Sequence, residues 1–316
     1  MPAWQLRPRS APELVDASVQ LVREHARPLL TLGVLLVIPG LALSLLNALV
    51  LGGSLIPTAN DAVSTPWASF ALLLPGMLVA MCWFLVAFGA MVASASAAYT
   101  DGVALEPLDA LRRVGGRAAT LVGSGVLTYL LVTVQLLAVF LAFGLVAAIV
   151  AGAFGAFSGL AAMAGSRGGG AAAGVVAIVT ALAAIVIVFA AMAWLVGRYA
   201  VLPAVSVNER LGVVASMRRA RMLASGSARR ITLLLMLVFV LFAVVAIGTL
   251  ALFALALRNA AASAVAASVV NVPIYTFLGA LGTVLYYDLR IRHEGLDIEL
   301  LVDELAPPPN AEAAAR

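Results

Sequence analysis

Several chemical groups that enzymes and cofactor sites depend on are scarce in this chain. Among its 316 residues there is no lysine, one cysteine and two histidines, and charged residues make up only 11%. A lone Cys82 excludes an intrachain disulfide and a cysteine-based metal site. His25 and His293 each lie in a charged segment and have no partner at ligand spacing. The sequence therefore predicts no catalytic residue, no metal site and no cofactor.

Hydrophobic residues dominate the rest of the composition. They account for 64% of the chain and the mean hydropathy is +1.10, whereas soluble proteins carry roughly 25% charged residues. About 20 apolar residues in a helix cross a hydrocarbon core of about 30 Å. The sequence therefore predicts an all-α, polytopic membrane protein with six transmembrane helices, in the charge-free runs at residues 29–51, 67–98, 118–150, 170–197, 231–257 and 265–287.

The basic residues, all of them arginine, are unevenly divided between the two sides of these spans. Only Arg167 and Arg258 lie on one side, and the other 17 lie on the opposite side. The positive-inside rule places the arginine-rich side, with both termini, in the cytoplasm. Arginine clusters of this kind attract anionic lipid headgroups, so we expect membrane lipids as partners at the cytoplasmic face. The sequence pI of about 9.7 then requires no nucleic acid partner.

A charged segment precedes each pair of spans. The three segments are APELVDASVQLVREHARPLL, ALEPLDALRRVGGRAATLV and NERLGVVASMRRARMLASGSARRITLL, and they lead into hairpins at residues 29–98, 118–197 and 231–287. Each hairpin runs from the inside to the outside and back. The pattern predicts three parallel repeats of about a hundred residues, related by an axis along the membrane normal, within one membrane domain at residues 1–306.

The charged segments also contain helix start signals. Ser10 and Glu13 form a capping-box pattern, and Pro12 sits where the first turn needs no N–H. A helix over residues 10–27 would gather its apolar side chains on one arc, namely Leu14, Val15, Val19, Leu21, Val22 and Ala26. We expect an amphipathic helix that lies along the inner membrane surface or against other cytoplasmic helices. In the third segment Asn208 is the predicted N-cap.

The stretch LYYDLRIRHEGLDIELL, residues 285–301, concentrates charge at the end of the sixth span. Tyr286 and Tyr287 are typical of the aromatic belt at a membrane interface, and Arg290 and Arg292 are typical of cytoplasmic anchors.

Two (i, i+4) ion pairs favour continuation of this helix into water: Asp288 with Arg292, and Arg290 with Glu294. We predict a cytoplasmic amphipathic helix over residues 288–306 with a bend at Gly295. The tail at residues 307–316 is predicted to be disordered.

Three stretches carry a family resemblance: ELVDASVQLVREHARPLL, RYAVLPAV after the fourth span, and YYDLRIRHEGLDIELL at the end of the last span. Together they resemble bacterial membrane proteins grouped with the glycerophosphoryl diester phosphodiesterase membrane-domain family, over most of the chain. In fused members of that family a separate soluble domain carries out hydrolysis, and this chain has no soluble segment long enough to correspond to it. The resemblance implies an accessory protein of the bacterial inner membrane and not a phosphodiesterase.

Two Pro-Gly pairs lie at similar depth in the first hairpin, at Pro39-Gly40 and Pro75-Gly76. Broken helices with freed backbone groups form substrate sites in many transporters. The alternative is a kink that neighbouring helices pack around.

Arg198 is surrounded by apolar residues in VGRYAVLPAV. An arginine so close to the hydrocarbon needs a counter-charge or must reach the headgroups. We predict that Arg198 pairs with Asp288, or as a second choice with Asp101, and so closes the cytoplasmic mouth between hairpins. The alternative is that its guanidinium extends to lipid phosphate.

These features favour a non-enzymatic inner-membrane protein that scaffolds partners or organises lipid in envelope maintenance. The spans contain no Asp, Glu, Lys or His, which removes the usual proton relay of a pump or coupled transporter. The alternative function is a permease for an apolar or lipid-like substrate. An intramembrane lipid enzyme lacks a candidate nucleophile and base.

Overall fold

The computed structural model describes residues 8–50, 66–163, 169–257 and 260–295. Within these ranges the chain forms ten α-helices and no strand: α1 (Ala11–Glu24), α2 (Ala26–Val50), α3 (Pro66–Asp101), α4 (Pro107–Gly115), α5 (Ala118–Met163), α6 (Gly169–Gly197), α7 (Leu202–Asn208), α8 (Val213–Ser225), α9 (Ala228–Leu257) and α10 (Ala260–Glu294). The predicted helix beyond Gly295 and the predicted disordered tail lie outside the described residues.

Six of these helices, α2, α3, α5, α6, α9 and α10, are long and apolar enough to cross a membrane. Each overlaps one of the six charge-free runs of the sequence. Helix α6 ends at Gly197, the predicted end of the fourth span, whereas α5 continues to Met163, past the predicted end at residue 150. The protein is therefore an all-α, polytopic membrane protein, as predicted. The agreement is close because a long run without charge leaves few alternatives to a spanning helix.

The six spans pack as three hairpins in a closed ring. Within the hairpins α2 packs on α3, α5 on α6, and α9 on α10. Between hairpins α3 packs on α5, α6 on α9, and α10 on α2, so that the second span of each hairpin contacts the first span of the next. In addition α3 and α10 contact each other across the ring, which makes them the centre of the bundle.

The short helices α1, α4 and α8 each lead directly into a hairpin, through a turn with recurring geometry. In each case a backbone amide near the start of the span donates to the carbonyl oxygen of the turn residue four positions earlier. The three pairs are Leu29 to His25 at 3.3 Å, Leu121 to Arg117 at 3.0 Å and Ile231 to Ser227 at 3.0 Å. All three of these apolar side chains are buried. We call the end of the bundle formed by α1, α4, α7, α8 and the last turns of α10 the basic end.

Helix α1 begins as the sequence predicts and packs mainly against α10. The Ser10 amide donates to the Glu13 carboxylate at 2.6 Å, which completes the predicted capping box. Leu14 and Leu21 are buried, but Val19, expected on the same face, is 43% exposed. The helix therefore lies against the protein with a narrower apolar face than predicted.

The core is concentrated in the basic half of the molecule. In α5, α6 and α9 the buried side chains lie within the turns nearest the basic end: Leu121, Ser124, Ala193, Leu195, Ile231, Leu234, Leu235 and Val238. Farther along, Leu137, Phe140, Val244 and Ile247 are each more than half exposed. The far half of these helices thus offers a broad apolar surface, the kind of surface that acyl chains cover in a bilayer.

Candidate functional site at the basic end

Asp288 is the most deeply buried charged side chain among the described residues, with 2% of its surface exposed. One carboxylate oxygen accepts the peptide N–H of Arg9 at 2.7 Å. The other accepts from Arg230 Nη1 at 2.8 Å and Arg292 Nε at 3.0 Å. The predicted (i, i+4) pair with Arg292 is confirmed. A buried carboxylate without partners would be strongly destabilising, and here two guanidinium groups neutralise it.

The backbone of Arg9 is held by this cluster through both its N–H and its carbonyl oxygen. Its carbonyl oxygen accepts hydrogen bonds from Arg292 Nη2, at 2.7 Å, and from Arg230 Nη2. The Arg9 guanidinium carbon lies 5.8 Å from the centre of the Tyr99 ring. The segment that enters α1 is therefore attached to α3, α9 and α10 together.

The predicted ion pair between Arg198 and Asp288 is wrong. The guanidinium carbon of Arg198 lies 3.7 Å from the centre of the Trp194 ring, and among the described residues Arg198 forms no ion pair with Asp288 or Asp101. Asp101, the last residue of α3, is exposed. There are two physical reasons. Arg198 follows α6, which packs against α5 and α9, whereas Asp288 lies on α10. In addition, the Asp288 carboxylate is already paired with Arg230 and Arg292.

A second ionic cluster joins α10 to the segment between α7 and α8. Glu209 accepts from Arg219 Nε at 2.8 Å and from the Tyr286 hydroxyl at 3.0 Å. Arg219 also pairs with Glu294, which accepts from Arg290 Nε at 2.9 Å and so confirms the second predicted (i, i+4) pair. Burial alone would lower the pKa of Arg219, but hydrogen bonds and charge from the two carboxylates raise it overall. Arg219 therefore carries its positive charge within this cluster.

The two tyrosines predicted to form an interfacial belt are buried inside the protein. Tyr286 is 0% and Tyr287 8% exposed, and the Tyr287 ring stacks on Tyr99 with centroids 5.0 Å apart. The belt prediction is wrong because α1, α3 and α7 cover the end of α10. The aromatic side chains join helices here and do not face headgroups.

Helix α7 is the element that the sequence analysis missed. Its residues Leu202, Ala204, Val205, Ser206 and Val207 are buried, and it packs against α3, α5, α8 and α10. The sequence feature that indicates this helix is Pro203. It lies in the first turn, where a missing backbone N–H costs no hydrogen bond. The segment RYAVLPAV thus forms a turn and a short buried helix between the spans.

The end of α7 is held by Arg117, in the turn between α4 and α5, and by Ser96 of α3. Arg117 Nη1 donates to the carbonyl oxygen of Val207 at 2.7 Å, which satisfies a terminal helix carbonyl with a cation. The Asn208 side chain donates to Ser96 Oγ at 3.1 Å. The predicted N-cap at Asn208 is therefore wrong, since Asn208 ends α7 and α8 begins at Val213 after Gly212.

The two Pro-Gly pairs lie in uninterrupted helices. Pro39 is inside α2 and Pro75 inside α3. A Cβ atom at Gly76 would lie 2.9 Å from Leu43 Cδ1, whereas one at Gly40 would meet no atom within 4 Å. Close helix packing at Gly76 fits the kink alternative, and no helix break is found at either proline.

Other arginines at the basic end line pockets and have no acidic partner among the described residues. A pocket of about 230 Å³, which we call the Arg198 pocket, lies between α6, α8 and α9 and is lined by Trp194, Gly197, Arg198, Arg221, Ala224, Ser225, Ala228 and Thr232. A groove of about 650 Å³, which we call the α8 groove, shares Arg221 and is lined by Leu127, Leu131, Tyr199, Val214, Met217, Arg218 and Met222. A third pocket, of about 630 Å³, includes Arg113, Arg117 and Arg210.

Neither histidine belongs to a cluster of ligands in the part of the chain that the structure describes. There, no group of three or more His, Cys, Asp or Glu side chains is arranged to hold a metal ion. His25 Nε2 lies 3.2 Å from the carbonyl oxygen of Gly102, and the His293 ring lies against Gly226. The His25 ring thus lies against the residue that follows α3, and the His293 ring lies against the turn between α8 and α9.

No protein-family model, curated protein or solved structure matches this chain. The function of the basic end is therefore inferred from its own residues.

Proposed function

We propose that this protein is a non-enzymatic, lipid-organising accessory of the bacterial inner membrane. One observation carries the proposal: the arginines of the basic end fall into two groups. Arg219, Arg230, Arg290 and Arg292 each form ion pairs with carboxylates of the chain. Arg198 and Arg221 line a pocket at the ends of the spans without an acidic partner among the described residues. Unneutralised arginines at that level attract anionic headgroups.

The apolar half of the bundle supports the same proposal. Side chains such as Leu137 and Ile247 are exposed along α5 and α9, where a tightly packed bundle would bury part of them. Lipid chains can therefore reach these helices over much of their surface. A protein with headgroup sites at one end and loosely packed apolar helices at the other is suited to gather lipid around itself.

The orientation is part of the proposal. The segment before α1 and the end of α10 meet at the basic end through the Arg9 peptide and Asp288. By the positive-inside rule we propose that this end faces the cytoplasm and that both termini are cytoplasmic.

We further propose that the three hairpins are parallel repeats. Support comes from the order of elements, a short helix before each pair of spans, and from the shared turn geometry at Leu29, Leu121 and Ile231. The ring in which each hairpin contacts the next in the same way fits an axis along the membrane normal. A three-part ring tied together at one end would serve as a scaffold.

We also propose that the chain has the accessory membrane role that its resemblance to the glycerophosphoryl diester phosphodiesterase membrane-domain family implies. The competing proposal, a permease for an apolar or lipid-like substrate, predicts a bound solute beside the Pro-Gly helices. The uninterrupted helices α2 and α3 give that proposal less support.

Extraction of the full chain into native nanodiscs, with mass spectrometry of lipids and proteins, distinguishes the proposals. We expect anionic phospholipid in excess over its fraction of the membrane. A lipid composition equal to that of the membrane, together with one stoichiometric small solute, would favour the permease. A stable protein partner without lipid enrichment would favour a protein scaffold alone.

A further inference from the structure

The Arg198 pocket combines two positive charges with a defined cavity. Arg198 and Arg221 both line it, and neither has an ion-pair partner among the described residues. Two guanidinium groups facing one cavity repel each other unless an anion lies between them. The cavity of about 230 Å³ has room for a group several times the size of a water molecule, which takes about 30 Å³ in the liquid.

The position of the pocket matches the headgroup level of a bilayer. It lies at the last turn of α6 and the first turn of α9, where two spans reach the basic end. Trp194 is 45% exposed and carries the Arg198 guanidinium over its ring. Exposed tryptophan and arginine are both enriched at this depth, and the ring holds the guanidinium in place through a cation–π contact.

An apolar path leads from the pocket along the bundle. Arg221 lines both the pocket and the α8 groove, and the groove continues over Leu127 and Leu131, one turn apart on α5. Both leucines are exposed, by 36% and 40%. Charge at one end and hydrocarbon along the rest is the chemistry of a phospholipid.

We propose that the Arg198 pocket and the α8 groove together bind one anionic phospholipid, with its phosphodiester between Arg198 and Arg221 and an acyl chain on Leu127 and Leu131. A zwitterionic headgroup fits less well because its amine would add a third cation to the pocket. The apolar groove favours a lipid over free phosphate. This inference rests on the proposed lipid-organising function and names one site for it.

Native mass spectrometry of the purified full chain in mild detergent tests the site. The probes are phosphatidylglycerol and phosphatidylcholine with the same acyl chains, added separately. The Arg198→Gln/Arg221→Gln variant removes two charges from the pocket. Its matched control, Arg23→Gln/Arg229→Gln, removes two charges from exposed arginines that line neither the pocket nor the groove.

We expect the wild type and the control to retain one phosphatidylglycerol in preference to phosphatidylcholine. The pocket variant should bind phosphatidylglycerol about tenfold more weakly or worse, with an unchanged helical circular dichroism spectrum. Equal losses in both variants would overturn the site, as would unchanged binding in the pocket variant. Displacement of the lipid by an equal concentration of inorganic phosphate would show a free-phosphate site and overturn the lipid proposal.

Failure of this site is distinguishable from failure of the function. If the pocket variant keeps its lipid while native nanodiscs of the wild type are still enriched in anionic phospholipid, only the location is wrong. If the wild-type nanodiscs show no enrichment, the function itself is contradicted.

Discussion

The carboxylate of Asp288 accepts the peptide N–H of Arg9 at 2.7 Å, although 279 positions separate the two residues in the chain. The same carboxylate holds Arg230 and Arg292, and both arginines return to the carbonyl oxygen of Arg9. One side chain of α10 thus connects the beginning of the described chain with α9. The packing of the basic end depends on this arrangement, because its hydrogen-bond donors and acceptors are paired with one another.

Asp288→Asn should destabilise the protein strongly. The change keeps the shape of the side chain but leaves Arg230 and Arg292 without their counter-charge, and breaking a buried pair costs about 3 to 5 kcal/mol. The matched control is Asp109→Asn, whose pair with Arg112 is exposed, with side-chain exposures of 62% and 71%, and should contribute at most about 1 kcal/mol. Thermal unfolding in detergent measures both. Equal losses would mean that Asp288 is not a structural centre.

A double-mutant cycle between Arg230 and Asp288 should show strong coupling. The two side chains lie 2.8 Å apart, and contacting charges typically couple by about 0.5 to 3 kcal/mol. The exchange Arg198→Asp/Asp288→Arg should restore none of the lost stability, because Arg198 lies on Trp194. Rescue by that exchange, or additive effects of Arg230→Ala and Asp288→Ala, would contradict the observed pairing.

Gly33→Ala and Gly40→Ala, two identical changes in α2, should have different effects. A Cβ atom at Gly33 would lie 2.5 Å from Thr276 Oγ1 and 3.1 Å from the carbonyl oxygen of Val272, so α2 and α10 would have to separate. We expect a loss of about 1 to 3 kcal/mol. Gly40 has open space around it, so alanine there should be neutral or slightly stabilising. Similar unfolding temperatures for the two variants would contradict the close contact of α2 with α10.

Reporter fusions test the orientation. A reporter after Arg316 should be cytoplasmic, and one inserted near Asp61, in the predicted connection between the first two spans, should be on the opposite side. The reason is the 17-to-2 distribution of arginine between the two sides. A C-terminal reporter on the outside would contradict the orientation, and two reporters on the same side would contradict the number of crossings between them.

The spans and local pairs could be predicted from the sequence because they depend on short-range patterns. Charge-free runs locate the six helices, the Ser10 and Glu13 spacing locates the start of α1, and the (i, i+4) spacing predicts that Asp288 meets Arg292. Each of these features is set by residues within a few turns of one another, so no knowledge of the packing was needed.

The remaining contacts depend on which helices become neighbours, and that information is not local. Arg230 reaches Asp288 because α9 packs on α10, whereas Arg198 directly follows α6 and has Trp194 beside it. The burial of Tyr286 likewise depends on the packing of α1, α3 and α7 against α10. Of these, α7 has only seven residues, too few for a recognisable periodic pattern.

The most direct test of the account is the thermal stability of the purified protein as anionic or zwitterionic phospholipid, with matched acyl chains, is titrated into the detergent. A ligand that binds only the folded state raises the unfolding temperature with its concentration. If the protein gathers anionic lipid, phosphatidylglycerol should raise the unfolding temperature more than phosphatidylcholine, and high salt should reduce the difference. Equal effects of the two lipids at low salt would contradict the proposed function.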